Sequence, residues 1–265
     1  MTRSQRAGAD VKLSGRLAAL ADWVPEGARF ADIGTDHALL PVYLAAGGRV
    51  PFAVAGDVNK GPVEAAQRQV KAAGLDGIVS VRQGDGLTVL KPGEVDTVCI
   101  AGMGGSLMVR LLEEAGRRLD GVRTLILSPH VAEDQVRQWL VDHAYVLIEE
   151  KLLEEDGEIY TMLKAERDGE AEAKKRNAEL YDPSLLGFGS AEVPVPLIRE
   201  MGPLLLRGSD ETFRRKWESE LAKRETIRER LRLSQSDEAA RKALEWEKAI
   251  AKIKEVLACW PAAKR

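Results

Sequence analysis

Five short apolar or β-branched runs, at residues 28–33, 52–55, 78–81, 95–100 and 124–127, recur along the chain with helical patterns between them. Such alternation leaves few architectures. Each helical crossover returns the chain to the same end of the next strand, so the strands pair in parallel and need helices over both faces. The helices carry their own start and stop signals. Pro62 stands in the first turn of a helix over 62–73 that Gly74 ends, LMVRLLEEAGRRL occupies most of 106–119, and Glu133 and Asp134 open a helix over 132–143. Ahead of the first run, Leu13, Leu17, Leu20 and Val24 are spaced for a short amphipathic helix over 11–24, ending before Pro25.

After the fifth run the pattern changes. YVLIEEKLLEE (145–155) and EIYTMLKAE (158–166) are strand-like and joined through Asp156-Gly157, a hairpin signal. The expected fold is therefore α/β and Rossmann-like, a mostly parallel sheet with an antiparallel last strand, as in class I S-adenosylmethionine (SAM) methyltransferases. A nicotinamide dehydrogenase would continue in parallel. Residues 1–166 form this predicted domain. Residues 167–208, with Lys174-Lys175-Arg176 and the proline-containing DPSLLGFGSAEVPVPLIREMGPLLL, read as an irregular connector. Residues 209–265 read as a helical hairpin, with Phe213, Trp217, Leu221, Ile227 and Leu231 facing Leu244, Ile250, Ile253, Val256, Leu257 and Trp260.

The chemistry gathers at the strand ends. The first predicted strand ends in Ala31-Asp32-Ile33-Gly34-Thr35-Asp36-His37 and runs into the helix ALLPVYLAA. Glycine there lets backbone approach a ligand. The additional glycines that a dinucleotide pyrophosphate needs are missing, and the compact amino-acid end of SAM needs less room. The second strand ends at Asp57, near the offset at which an acid meets ribose hydroxyls. The third ends in Gln83-Gly84-Asp85-Gly86, where a carboxylate can accept from an adenine amine, and the fourth in Ile100-Ala101-Gly102-Met103-Gly104-Gly105. One such aspartate is as well explained by a helix cap or turn; three at successive strand ends point to a ligand at the carboxyl edge of the sheet. His37 and His130 serve equally as loop residues or ligand contacts, and His143 reads as a helix-end residue.

Composition narrows the setting. The chain carries 39 basic and 42 acidic residues with 45% hydrophobic content, which excludes wholesale disorder. Cys99 and Cys259 are its two cysteines, and no apolar run reaches the roughly 18 residues of a membrane span, so a cytosolic protein without membrane or metal partners is expected. Residues 1–166 hold 18 basic and 24 acidic side chains, and residues 167–265 hold 21 and 18, making the second part the better polyanion contact.

The run Ala-Asp-Ile-Gly-Thr-Asp-His, the later Val81-Arg82-Gln83-Gly84-Asp85-Gly86-Leu87, the Ile-Ala-Gly-Met-Gly-Gly turn and Leu153-Glu154-Glu155-Asp156-Gly157 together resemble the bacterial tRNA (adenine-22-N1)-methyltransferase family, in order and spacing, over nearly the whole chain. Asp57 stands where Glu is as readily expected, and Lys60 where an acid is common. The resemblance implies SAM bound through Asp32, Gly34, His37, Asp57, Asp85 and Gly86, with S-adenosylhomocysteine as product; Thr35, Asp36, Val58, Gly84, Ala101 and Gly102 in the same turns are further candidate cofactor contacts. It also implies methylation of an adenine N1 in the D-arm region of tRNA. Asp32, Met103 and His130 are then the residues expected beside the acceptor base, and Arg3, Arg6, Lys12, Arg214, Arg215, Lys216, Arg224, Arg228 and Arg232 the candidate phosphate contacts. Competing readings are a dehydrogenase, a SAM enzyme acting on another RNA base or a small molecule, and a non-catalytic binding protein of the same fold.

Overall fold

The computed structural model describes residues 11–187, 193–208, 210–234 and 236–259. Helix α1 (Gly15–Trp23) leads into β1 (Arg29–Ile33), α2 (Leu39–Ala46), β2 (Phe52–Asp57), α3 (Lys60–Ala73), β3 (Val79–Gln83), β4 (Thr97–Met103), α4 (Gly105–Ala115), β5 (Thr124–Pro129) and α5 (Glu133–Asp142). The hairpin follows as β6 (Tyr145–Glu155) and β7 (Glu158–Arg167). The seven strands lie in the order β3-β2-β1-β4-β5-β7-β6. β1 to β5 pair in parallel, and β7 runs antiparallel between β5 and β6. The last strand thus enters the sheet between two earlier ones. Asp156 and Gly157 both take positive φ (53° and 81°), as a two-residue turn between twisted strands requires.

The central strands are buried on both faces. Every residue of β5 is buried, and Phe30, Cys99, Ile126 and Met162 pack beneath Leu20, Val24, Leu40 and Leu44 of one covering layer. α1 begins at Gly15, capped by Ser14, so Val11 and Leu13 precede the helix and pack as extended chain. Arg137 of α5 and Glu150 of β6 form an ion pair at 2.7 Å with side chains 1% and 0% exposed. Such a pair is destabilising to break from one side, because the remaining charge is stranded.

The stretch expected to be irregular is largely helical. It contains α6 (Glu170–Leu180), a 3-10 turn at Pro183–Leu185, α7 (Val195–Met201) and α8 (Pro203–Arg207). Pro183, Pro196 and Pro203 sit in the first turns of these elements, where a missing N–H costs nothing and the fixed φ suits a helix start. Compact units divide after Asn177 instead of after residue 166. α6 explains the shift: Asn177 Nδ2 donates to the Tyr145 carbonyl and Ala173 is buried.

In the second unit α9 (Glu211–Arg232) and α10 (Asp237–Cys259) form the helical hairpin. Its seam departs from the expected one. Ile227 and Leu244 are 39% and 53% exposed, while Ala239 and Ala243 are buried with Ile250, Ile253 and Val256. Counting from Ile250, steps of seven and eleven reach Ala243 and Ala239 and put Leu244 on the adjoining face. Trp260 lies outside the described residues.

Candidate active site

The site is assembled at the carboxyl edge of the parallel strands. Asp32, the penultimate residue of β1, lies in register with Ala55 of β2 and Cys99 of β4. Its side chain is 7% exposed and accepts a 2.6 Å hydrogen bond from Thr35 Oγ1. Burial pushes its carboxyl up to about 6; the Thr35 bond opposes this, and the Asp36 and Asp57 charges add to it. The same burial, with Asp32 facing it, raises the Cys99 thiol, and Arg16 partly offsets that.

The turn after β1 is crimped onto β2. Gly34 N and Thr35 N both donate to the Gly56 carbonyl, at 2.8 and 3.0 Å. Gly34 has φ 75°, and a Cβ there would fall 2.9 Å from Met103 Cε. The Met103 side chain therefore closes on the β1 turn from β4. His37 and Ala38 follow with φ 54° and 56°, two successive left-handed residues without glycine, a strained geometry of the kind found at ligand sites.

Asp57 ends β2 with Oδ1 accepting from Asn59 N at 2.7 Å, and Val58 beside it is exposed. The β3 turn is tied to it: Gly84 N donates to the Asp57 carbonyl and Gln83 Nε2 to the Val58 carbonyl. Asp85 is exposed, and its carbonyl accepts from Thr88. At β4 a register shift between Ala101, still paired with Ser128, and Met103 turns the exposed Gly102 (φ 78°) out of the ladder. The following loop is fastened to β5, His130 N donating to the Met103 carbonyl and Gly105 N to the Val131 carbonyl. His130 is exposed, and Val131 is 63% exposed.

SAM needs a turn open to its amino-acid end, a carboxylate for vicinal ribose hydroxyls and an acceptor for the adenine amine. At Gly34 a side chain would fill the cradle, and Asp57 and Asp85 are carboxylates at the strand ends of the kind the other two needs call for; the residues present fit this group. The turns carrying Asp32, Asp57 and Asp85 are joined by direct hydrogen bonds, and Met103 reaches the first of them.

Two residues near the site escaped sequence reading. The Arg16 guanidinium lies 4.6 Å above the Tyr160 ring, whose centroid is 5.8 Å from that of His130. Neither stands in a motif. Arg16 falls between core leucines of an amphipathic helix, and Tyr160 within an alternating strand. Some candidate phosphate contacts are already engaged. Arg224 pairs with Glu200 and lies 5.6 Å from each of the Trp217 and Trp246 rings, and Arg232 pairs with Glu247 at 3.0 Å. Arg3 and Arg6 lie outside the described residues.

A family profile described as tRNA (adenine(22)-N(1))-methyltransferase matches residues 30–255. The tRNA (adenine(22)-N(1))-methyltransferase of Bacillus subtilis (strain 168) is 41% identical over 222 residues, 84% of this chain and 87% of the relative. Among solved structures, the B. subtilis m1A22 tRNA methyltransferase TrmK aligns with a TM-score of 0.83 at 37% identity, over 94% of this chain and all of that one. A Streptococcus pneumoniae homologue in complex with S-adenosyl-L-methionine aligns with a TM-score of 0.76 at 33% identity, over 93% of this chain and all of that one. With the profile and the B. subtilis relative spanning most of it, this chain belongs to the tRNA (adenine(22)-N(1))-methyltransferase family.

Proposed function

We propose that the protein is a cytosolic enzyme that methylates N1 of adenine 22 of tRNA, using SAM and releasing S-adenosylhomocysteine. The observation that carries this reading is the convergence of linked acidic strand-end turns beside an open, glycine-lined bend at residues 101–104. Bound SAM supplies a methyl group made electrophilic by its sulfonium. The chain's own residues hold and orient the two reactants. The turn at Gly34–His37 with Asp32 takes the amino-acid end, Asp57 with Val58 the ribose, and Asp85 with Gly84 and Gly86 the adenine.

Adenine N1 presents an in-plane lone pair, so no proton has to leave before attack and no strong general base is required. Positioning and charge are what the protein must provide. Positive charge appears on the acceptor ring as the methyl arrives, and ionised Asp32 with the Gly102 carbonyl favours it. The Met103 carbonyl already accepts from His130 N, which sets His130 at the rim of the bend to orient the base.

N1 lies on the Watson–Crick edge, so the target must be unpaired or drawn from its stack, at a cost of a few kcal/mol. The protein therefore holds RNA around the base. Incubation with methyl-labelled SAM and unmodified tRNA is expected to yield label as 1-methyladenosine. Label in another nucleoside, or in none, would refute the assignment. Binding should divide by salt: between roughly 50 and 200 mM, tRNA affinity is expected to fall about ten-fold or more while SAM affinity moves less than about two-fold. Parallel losses for both ligands would contradict phosphate contacts as the source of RNA affinity.

A further inference from the structure

Helix α1 and the β6–β7 hairpin read in sequence as a packing helix and a closing element, but their contacts give them a common task at the site. Glu155, the last residue of β6, accepts through Oε1 from the backbone N–H groups of Gly15 and Arg16. The hairpin thus caps the first turn of α1 together with Ser14, whose hydroxyl accepts from Leu17 N. That turn projects Arg16. Three residues beyond the Asp156-Gly157 turn of the same hairpin, β7 supplies Tyr160, over which the guanidinium lies, and Tyr160 in turn borders His130.

Among the described residues Arg16 has no ionic partner. Its Nη1 is shielded from solvent and makes no hydrogen bond among the described residues, and no carboxylate among them forms an ion pair with it. Nη1 also lies 4.0 Å from the point a Cβ on Gly102 would occupy. A guanidinium supported by an aromatic face, with donor capacity unused, at the bend where the acceptor enters, is suited to an anion that comes with the substrate. Its position selects which anion. Asp57 and Asp85 follow β2 and β3 in one half of the sheet, whereas Arg16 lies beside Gly102 of β4 and over Tyr160 of β7 in the other half. An adenosine drawn into that half brings its own phosphodiester.

We propose that Arg16 binds the backbone phosphate flanking the acceptor adenosine, with Glu155 and Tyr160 as its positioning residues. This rests on the tRNA reading above. In the full-length chain, Arg16→Gln is expected to raise KM for tRNA about ten-fold, and to lower the slope of log affinity against log salt by about one phosphate contact, while calorimetry shows SAM affinity within two-fold of wild type. Arg16→Lys keeps the charge and should keep the salt slope with part of the affinity, and so separates charge from folding. Glu155→Ala should raise KM for tRNA more than it lowers kcat, and Glu155→Gln, which retains an acceptor oxygen, should rescue it. A wild-type tRNA KM and salt slope in Arg16→Gln would overturn the proposal, as would SAM affinity falling in step with tRNA affinity, which would put Arg16 on the methionine carboxylate. A wild-type protein that forms no 1-methyladenosine would overturn the functional reading itself, a result distinct from either.

Discussion

Asp32→Asn is expected to lower kcat by two to three orders of magnitude, about the loss seen when a preorganised charge or donor is removed from a reacting centre, and at the same time to make the ligand-free protein more stable at pH 8. The opposite signs have one cause. The Asp32 carboxyl titrates near 6 in the folded chain, against 3.8 for the unperturbed group, so between those values the folded state holds a proton that the unfolded state has lost. Its contribution to stability is full below about pH 4 and is lost as pH rises through 6. Above that, the folded protein carries a buried carboxylate at a cost of about 3 kcal/mol. Burial is the main cause of the size: Cys99 opposite offers little polarity, Thr35 donates to the side chain and partly offsets the shift, and Asp36 and Asp57 repel the charge. Asparagine keeps an acceptor for Thr35 without the charge. Melting curves should show the variant higher by at least about 5 °C at pH 8 and equal to wild type near pH 4. A variant that melts lower at pH 8 would show that Asp32 is not destabilising there.

Gly105→Ala is expected to cost about 3 kcal/mol or more and to take activity with it. A Cβ at this position would lie 2.3 Å from the Ala132 carbonyl oxygen and 2.7 Å from that of Val131, and backbone cannot rotate aside as a side chain can. The contact is close because Gly105 N donates to the Val131 carbonyl, the bond that fastens the loop after β5 to the start of α4. Relief would require His130 and the Gly102–Gly104 bend to separate. Gly61→Ala is the control. Nothing lies within 4 Å of a Cβ there, and in helix α3 alanine should hold or raise stability by up to about 1 kcal/mol. Thermal melts of the two variants, with methyl transfer measured in parallel, test whether the glycine at 105 is required by contact.

Much of this arrangement is legible in the sequence, for local reasons. The β-α alternation shows itself in short apolar runs punctuated by Pro62 and Gly74, and Asp32, Asp57 and Asp85 are each read from the few residues around them. What required the folded chain is long-range. Nothing near 158–167 says that β7 lies between β5 and β6. Prolines in 183–203 look like breakers until their positions at helix starts are known. Ala239 and Ala243 displace Leu244 from the hairpin seam because the phase of a helix, rather than the size of a side chain, decides what faces its partner. Arg16 belongs to the same class, since its meaning comes from residues about 140 positions away.

The strand order also sets a timetable for the nascent chain. β6 pairs with β7 alone, so when it leaves the ribosome it has no sheet to join, and the edge of β5 stays bare until the final strand arrives between them. Glu155 emerges at that same moment, so the first turn of the amino-terminal helix, although its core face can already pack, lacks this cap until then. A translation product halted before the hairpin would still hold the acidic strand ends, yet it would expose an unpaired β edge to chaperones and proteases.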